Sequence, residues 1–333
     1  MNNNPLNLGR PLNGLPPFEA RLPWIGGDLQ TLRNTLFFRR PNLSLYTALR
    51  LGLALGDGSG DVLTGALNLP RAETSNPLLI LIHGLTGSED SRNIVASAAY
   101  HLSRGFPVLR LNLRNAGPSL GRCRHFYHAG RSEDLRGALA ALPPDLKMRG
   151  LFLVGVSLGG NMLLKAMAEG DGLDHVIGAA AVCAPINLKA AQVRIMAPRN
   201  LIYQRHLLKA LIQDTACIVA DTPLEPALRR VRTLYEFDDE IVAPLGGFAG
   251  ADDYYARCSA GPRLAHIEKP TLLIAAADDP WIPVGAYTAP AWPKDRPLSV
   301  VVTPGGGHVG FHAKDSPIPW HDRAIAAYVD SLR

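Results

Sequence analysis

Cysteine is scarce in this sequence, with four residues in a chain of 333. Cys123, Cys183, Cys217 and Cys258 stand far apart and form no Cys-x-x-Cys pair. This spacing argues against a zinc ribbon and against a fold held together by disulfide bridges. Isolated thiols of this kind fit a reducing compartment.

Signals for export, membrane insertion and nucleic-acid binding are also missing. Residues 1 to 14 lack a cationic start followed by an apolar core, which predicts no signal peptide. No stretch approaches about 18 uninterrupted apolar residues, which predicts no integral membrane span. The net charge is +5, but the basic residues form no run and are not interleaved with aromatics, so nucleic acid is not an expected partner. Together with the cysteine usage, these absences predict a soluble cytoplasmic protein of undetermined oligomeric state.

The composition that is present, 47% hydrophobic and 19% charged, is typical of a globular chain with a sizeable core. Two strands, joined by a glycine-rich turn at 56–60, are predicted at 44–53 and 62–69. Apolar runs then alternate with helical segments, which favours a mostly parallel, doubly wound α/β sheet. The predicted parallel strands include 78–82, 108–113, the apolar run before Ser157, 176–182, 271–277 and 298–302, and the predicted helices include 91–104, 132–142, 162–169 and 320–332.

This alternation divides the chain into three parts. Residues 1–20 are rich in Asn, Pro and Gly and predict an irregular N-terminal arm. Residues 21–187 and 263–333 carry the α/β pattern and form the predicted core. Residues 188–262 offer helical segments at 194–212 and 223–235 but no clear buried strand, which predicts a helical cap over the carboxyl ends of the strands, where open α/β sheets bind ligands.

A Gly-x-Ser-x-Gly pattern at Gly155–Gly159 lies between a predicted strand and a predicted helix. The pattern alone is weak, and a buried serine in a glycine-rich turn is its plain alternative. The strand and helix on either side favour an exposed nucleophile at Ser157. A serine hydroxyl needs a base within hydrogen-bond reach to act as one.

Two later strand ends offer the partners of such a serine. The strand 271–277 runs into Asp278 and Asp279, either of which can orient an imidazole, with Asp279 favoured because it directly precedes a proline. His308 follows the last predicted strand in a glycine-rich loop and is the candidate base. His312 lies four residues later, but the glycine between them and the missing third ligand argue against a zinc pair, so no metal is expected.

Backbone donors for an oxyanion are expected from Leu158, directly after the serine, and from Leu85 in the loop after the strand 78–82. A glycine-rich turn without a ligand is the alternative at the second position. No Gly-x-Gly-x-x-Gly follows that strand, which argues against a dinucleotide cofactor. His128 could line a pocket or titrate, although a hydrogen bond that orders its own loop is favoured.

Taken together, these motifs resemble the α/β-hydrolase superfamily, and within it the YheT-like branch of esterases and hydrolases, which is related to membrane-anchored ABHD lipases. The resemblance runs from about residue 20 to the end; its further marks are Asp28-Leu29-Gln30-Thr31, Asn112-Leu113-Arg114, Tyr127-His128-Ala129-Gly130 and Gly306-Gly307-His308-Val309-Gly310-Phe311. It implies an α/β-hydrolase fold and a triad of Ser157, Asp279 and His308, in that chain order. One departure is the stretch 114–119, where the branch more often has a Gly-rich Arg-Gly-x-Gly sequence.

The function expected from these residues is a serine hydrolase that cleaves carboxylic esters through an acyl-enzyme, without a cofactor. Apolar residues in the helical cap indicate short- to medium-chain acyl groups on a small ester or lipid-like substrate. A thioesterase or lipase with the same triad is the first alternative, because a triad does not define the leaving group. A non-catalytic binding module on the same fold is the second.

Overall fold

The apolar runs pair into one sheet in the computed structural model, which describes residues 5–12 and 14–332. The strands in this part of the chain are β1 (Leu6–Gly9), β2 (Thr47–Ala54), β3 (Val62–Leu69), β4 (Leu78–Ile82), β5 (Val108–Leu111), β6 (Leu151–Val156), β7 (Val176–Val182), β8 (Thr271–Ala276) and β9 (Leu298–Thr303). Their order across the sheet is β1-β9-β8-β7-β6-β4-β5-β3-β2. Strands β4 to β9 are mutually parallel, and β1, β3 and β2 add antiparallel edges. This confirms the predicted mostly parallel sheet.

Helices cover both faces of the parallel strands. The helices outside the segment between β7 and β8 are α1 (Gly27–Leu36), α2 (Arg92–Ser103), α3 (Ser132–Ala140), α4 (Pro144–Lys147), α5 (Leu158–Glu169), α12 (Gly285–Thr288) and α13 (Trp320–Ser331). Successive residues of β6 enter different cores: Leu151 and Leu153 pack on one side of the sheet, Phe152 and Val154 on the other. This division follows from the alternation of side chains along a strand. It explains why the central strands read as unbroken apolar runs.

The N-terminal arm differs from its prediction. Residues 1–4 and 13 lie outside the described residues, but Leu6–Gly9 form an edge strand antiparallel to β9, so an irregular arm over 1–20 is wrong for this stretch. A four-residue strand with an asparagine and a terminal glycine carries too little apolar pattern to be recognised alone. The open edge of β9 supplies the backbone partners that make it a strand.

Helices also fill the segment between β7 and β8, where no strand occurs among the described residues. They are α6 (Leu188–Ile195), α7 (Leu201–Val219), α8 (Glu225–Arg230), α9 (Leu234–Phe237), a π-helical turn (Asp238–Val242), α10 (Ala243–Gly246) and α11 (Ala251–Cys258). The predicted helix 194–212 is wrong in its bounds because the chain breaks near Pro198, which cannot continue a helix. The division of the chain into a core and a cap at 188–262 stays a prediction.

None of the described helices is both long enough and apolar enough to cross a membrane.

Candidate active site

Ser157 sits in the sharp turn between β6 and α5, with φ 53° and ψ −122°. A Cβ added at Gly155 would lie 2.6 Å from the Gly159 carbonyl oxygen, and one at Gly159 would lie 2.3 Å from the His83 carbonyl oxygen. Both positions therefore need glycine, because no side chain fits where the backbone passes so close. The turn raises the Ser157 side chain beyond the end of β6, as the motif predicts.

The imidazole of His308 joins the serine to a carboxylate. Its Nε2 lies 3.0 Å from Ser157 Oγ, and its Nδ1 lies 2.9 Å from Asp279 Oδ2. His308 and Asp279 are only 7% and 4% exposed. A carboxylate on Nδ1 favours the tautomer in which Nε2 can accept the serine proton. The structure thus brings together three side chains that the sequence places 29 to 151 positions apart.

The two adjacent aspartates have different partners. Asp279 Oδ1 accepts the backbone N–H groups of Trp281 at 2.8 Å and Ile282 at 3.0 Å, which aims Oδ2 at the imidazole. Asp278 turns away, and its Oδ1 accepts the Gly307 N–H at 2.8 Å. Burial raises the pKa of the Asp278 carboxyl. Asp278 therefore holds the histidine loop, and of the two aspartates only Asp279 forms a hydrogen bond with the ring.

The loop after β4 contains Leu85, whose N–H is the first predicted oxyanion donor. Its preceding carbonyl, that of Gly84, accepts hydrogen bonds from His83 Nδ1 at 2.8 Å and from the Gly87 N–H at 3.1 Å. Because the N–H of a trans peptide points opposite to its carbonyl, the Leu85 N–H faces away from these donors. Within the described part of the chain it has no protein acceptor.

His83 is held as a neutral donor. Burial lowers its pKa to about 4, and its Nε2 accepts the Leu113 N–H at 3.1 Å, so Nδ1 carries the proton given to Gly84. The second predicted donor, Leu158, is the first residue of α5, where N–H groups have no partner inside the helix. Both N–H groups belong to residues that line the same cavity as Ser157.

Helix α1 holds the histidine loop, a role that the residue patterns did not predict. The Thr31 hydroxyl accepts the His308 N–H at 2.8 Å and donates to the Gly27 carbonyl at 2.6 Å. Gln30 is fully buried and binds both backbone groups of His312, the carbonyl at 3.1 Å and the N–H at 2.7 Å. The only sequence signal was the Asp28–Thr31 stretch noted for its family resemblance.

The same helix contacts the segment between β7 and β8. The Asp28 carboxylate pairs with Arg199 at 2.7 Å and accepts the Tyr203 hydroxyl at 3.0 Å. The Tyr203 ring packs against Trp281 at 5.4 Å, and Trp281 in turn stacks on His308 at 4.3 Å. One side of the imidazole is therefore covered by apolar surface.

Two spaces meet at Ser157. An inner cavity of about 130 Å³ runs between the sheet and the helices of 188–258. Its lining is mainly apolar and includes Phe126, Leu188, Ile195, Leu211 and Phe237. An open outer cleft of about 850 Å³ lies between α1 and α7 and also contains His308.

His128 lines the inner cavity and also orders its own loop. Its Nδ1 accepts the Gly130 N–H at 3.1 Å, which leaves the proton on Nε2. Burial lowers its pKa to about 3, so the ring is neutral at physiological pH. It does not act as a second titrating group near neutrality.

One cluster of metal-ligand types occurs within the described residues, formed by Cys183, Asp279 and His308. The imidazole nitrogen that faces this cluster is already engaged with Asp279 at 2.9 Å. Burial raises the pKa of the Cys183 thiol well above its usual range, which disfavours the thiolate that a metal requires. The donor set fits a hydrogen-bonded pair better than an ion.

Several known proteins are similar to this chain. YheT of Escherichia coli (strain K12) is 35% identical over 85% of this chain and 83% of its own length. The medium-chain fatty acid ethyl ester synthase/esterase 2 of Saccharomyces cerevisiae is 26% identical over 77% of this chain and 62% of its own. Among solved structures, the esterase Pf2001 of Pyrococcus furiosus superposes with a TM-score of 0.58 at 17% identity, covering 87% of this chain and 94% of that one.

The likeness to the solved structure supports the fold, because its sequence identity is low. A sequence model of the alpha/beta hydrolase family matches residues 79–323, which include the serine turn, the aspartate pair and the histidine loop. With the 35% identity to YheT over most of both chains, this match shows the family. The chain belongs to the alpha/beta hydrolase family.

Proposed function

We propose that this hydrolase cleaves carboxylic esters of short to medium acyl chains, with Ser157 as the nucleophile. One observation carries the proposal: an imidazole bridges a serine hydroxyl at 3.0 Å and a buried carboxylate at 2.9 Å, at the mouth of an apolar cavity. Nucleophile, base and orienting acid in this arrangement are what acyl transfer requires.

In the first step, Ser157 Oγ attacks the ester carbonyl carbon and His308 Nε2 takes the hydroxyl proton. The imidazolium that forms is stabilised by Asp279, whose second oxygen is held by two backbone N–H groups. The tetrahedral intermediate then collapses as His308 returns the proton to the leaving alcohol oxygen. This leaves an acyl-enzyme on Ser157.

The developing oxyanion needs donors fixed before the reaction begins. The N–H groups of Leu85 and Leu158 are the proposed pair, and the neutral ring of His83 fixes the first by holding the Gly84 carbonyl. In such sites, removing one donor costs roughly 3–4 kcal/mol of transition-state stabilisation. Water activated by His308 then attacks the acyl-enzyme, releases the acid and restores the serine.

The size of the inner cavity supports the proposed acyl length. Its volume of about 130 Å³ is close to that of an apolar cavity of roughly 150 Å³ that holds benzene in another protein. About six heavy atoms therefore fit before neighbouring side chains must move. The alcohol part of the ester would lie in the outer cleft. The similarity to an ethyl ester synthase/esterase named for medium-chain fatty acids supports the same class.

A lipid ester is the second candidate, since Ile202 lines the outer cleft and is 81% exposed. An exposed apolar side chain at this position favours an alcohol part with its own hydrocarbon. A cytoplasmic location, also proposed, agrees with the four cysteines, which are all free thiols.

The test compares hydrolysis of nitrophenyl esters with acyl chains of two to twelve carbons, matched acyl-thioesters and a monoacylglycerol. We expect ester hydrolysis to be fastest at four to eight acyl carbons. We also expect a fluorophosphonate to label Ser157.

Ser157→Ala should abolish both labelling and turnover, whereas the control Ser103→Ala, at the exposed end of α2, should change neither. Asp279→Asn keeps the loop contacts but presents an amide to Nδ1, and should lower kcat by about 10⁴ because the wrong tautomer faces the serine. Turnover that survives in Ser157→Ala would overturn the proposal. If thioesters were hydrolysed faster than esters, the proposed leaving group would change from an alcohol to a thiol, while the proposed triad would stand.

A further inference from the structure

One acidic side chain lines the mainly apolar inner cavity. Asp238 lies on the π-helical turn Asp238–Val242 and shares the cavity with Ser157. Its Oδ2 accepts the Tyr255 hydroxyl at 2.6 Å, and no lysine, arginine or histidine of the described chain forms an ion pair with it. A carboxyl group at an apolar wall is costly unless its second oxygen also finds a partner.

The local backbone supports a role in binding. The turn Asp238–Val242 follows α9 directly and runs on into α10, so it is a π-bulge within a longer helical run. Such bulges are rare and occur often at functional sites. Burial raises the pKa of the Asp238 carboxyl to about 7, although the hydrogen bond from Tyr255 acts in the opposite direction. The group is therefore partly neutral at physiological pH.

Residues with hydrogen-bond donors line the same cavity. The Tyr255 ring packs on Tyr254 at 5.3 Å, and Tyr254 packs on His128 at 5.7 Å. The Tyr254 oxygen accepts the Ala129 N–H at 3.1 Å, and its own proton has no acceptor among the residues that the structure describes. Within the described residues, His128 Nε2 also has no hydrogen-bond partner. The lining of this cavity thus offers an acceptor on Asp238 and donors on Tyr254 and His128.

We propose that this wall is a polar subsite for a hydroxyl group on the acyl chain, so that the enzyme prefers hydroxyacyl esters to plain acyl esters. A hydroxyl both donates and accepts, and it can therefore satisfy Asp238 and a neighbouring donor together. The inference rests on the proposed ester hydrolysis, since it names the acyl group that the same serine would receive.

A hydroxyl fits this wall better than an ammonium group. An ammonium would have to leave water for an apolar cavity, and this cost is large even when a carboxylate partner is present. A neutral hydroxyl loses far less on transfer, and it binds Asp238 in either protonation state. A carboxylate on the substrate would be repelled by the negative charge of ionised Asp238.

The test measures kcat/KM for three ethyl esters, those of hexanoic, 6-hydroxyhexanoic and 6-aminohexanoic acid, by proton release. The ethyl ester of 3-hydroxyhexanoic acid is added to vary the hydroxyl position. For the native chain we expect at least one hydroxy ester to exceed the hexanoate by about tenfold, the effect of one buried hydrogen bond.

The quantity compared is the ratio of kcat/KM for the hydroxy ester to kcat/KM for the hexanoate within each variant. Asp238→Leu should lower this ratio by about tenfold or more relative to the native chain. Asp238→Asn retains an acceptor and a donor and should keep a preference for the hydroxy ester. Glu240→Leu, two residues away and paired with Arg230 outside the cavity, is the matched control and should leave the ratio unchanged. Asp238→Ala replaces the leucine variant if that chain does not fold.

Binding separates this inference from the proposed function. Calorimetry of 1,6-hexanediol and 1-hexanol with the Ser157→Ala chain needs no turnover, and the diol should bind relatively better with Asp238 present than in the double variant with Asp238→Leu. A chain that hydrolyses no ester would refute the proposed function, and the diol comparison would then decide the subsite. Equal ratios in the native and leucine chains would overturn the subsite while ester hydrolysis stands. A preference for the amino ester would overturn the hydroxyl as its ligand.

Discussion

Replacing Thr31 with valine tests whether helix α1 positions the histidine of the site. The threonine hydroxyl accepts the backbone N–H of His308 at 2.8 Å and donates to the Gly27 carbonyl at 2.6 Å. Valine has nearly the same shape but can form neither hydrogen bond. The substitution therefore removes an acceptor from a buried donor and leaves the packing close to unchanged.

The magnitude follows from the unpaired N–H group. His308 is 7% exposed, and a buried donor without a partner costs about 1–3 kcal/mol. If the loop stays in place, this cost lowers the free energy of unfolding. If the loop shifts to reach water, the imidazole loses its 3.0 Å contact with Ser157, and each 1.4 kcal/mol lost from the transition state lowers kcat about tenfold.

We expect Thr31→Val to lower kcat at least about tenfold, with KM changed less than about threefold, and to lower the free energy of unfolding by about 1 kcal/mol. The assay is hydrolysis of a short nitrophenyl ester between pH 5 and pH 9, with urea unfolding of the same samples. The pH profile should change as well, because the base no longer sits in one position.

Thr31→Ser is the matched control, since it keeps the hydroxyl and loses only a methyl group. It should retain kcat within about threefold. Native-like kcat and stability in Thr31→Val would refute a positioning role for α1. Equal losses in the serine and valine variants would refute the hydroxyl as the cause and assign the effect to packing.

Three further predictions concern single contacts. A Cβ at Gly84 would lie 3.0 Å from Ser157 Cβ and 3.6 Å from its Oγ. Gly84→Ala should therefore lower kcat, with a smaller effect on the free energy of unfolding measured in urea. Unchanged kcat would contradict the expected steric clash with the serine. The side chains of Asp28 and Arg199, which form an ion pair, are each about half exposed. Arg199→Ala should therefore change the free energy of unfolding by less than about 1 kcal/mol. A larger loss would contradict the weak contribution expected of an exposed ion pair. Burial lowers the pKa of His101 to about 4 in the folded chain. Below about pH 6.5 the unfolded chain therefore binds a proton on this histidine that the folded chain does not. The free energy of unfolding should fall from there toward pH 4, by up to about 1.4 kcal/mol per pH unit for this group. Urea unfolding at pH 7 and pH 5 should show a smaller fall for His101→Phe than for the native chain, and an equal fall would contradict this assignment.

Much of the fold was predictable because its signals are local. A parallel strand covered on both faces must be apolar throughout, and β4, β6 and β8 are, so their runs could be recognised without any partner. The serine turn was also visible, since the steric need for glycine at 155 and 159 is a property of the turn itself. The edge strand Leu6–Gly9 was missed because its pairing depends on the free edge of β9.

The candidate site was predictable in part. Asp279 and His308 follow strand ends, and parallel strands bring such ends to one edge, so their convergence on the serine could be expected. The structural roles of Gln30 and Thr31 could not be deduced, because neither residue belongs to a chemical motif. Each forms hydrogen bonds with backbone atoms some 280 positions away. Asp238 was not predicted as a site residue either, because an aspartate next to other acidic residues in a helical segment is typical of a solvent-exposed surface.

The sequence by itself determined the order of strands and helices, the strained serine turn and the residue types that acyl chemistry requires, because each depends on neighbours along the chain. Only the tertiary structure decided which distant groups meet where no motif or strand end marks them. Arg114 pairs with Asp57 and Asp134, which are 57 and 20 positions away, and Asp238 lines the same cavity as the serine. Contacts of this kind depend on how the elements pack, and the residue types that form them would suit an exposed surface equally well.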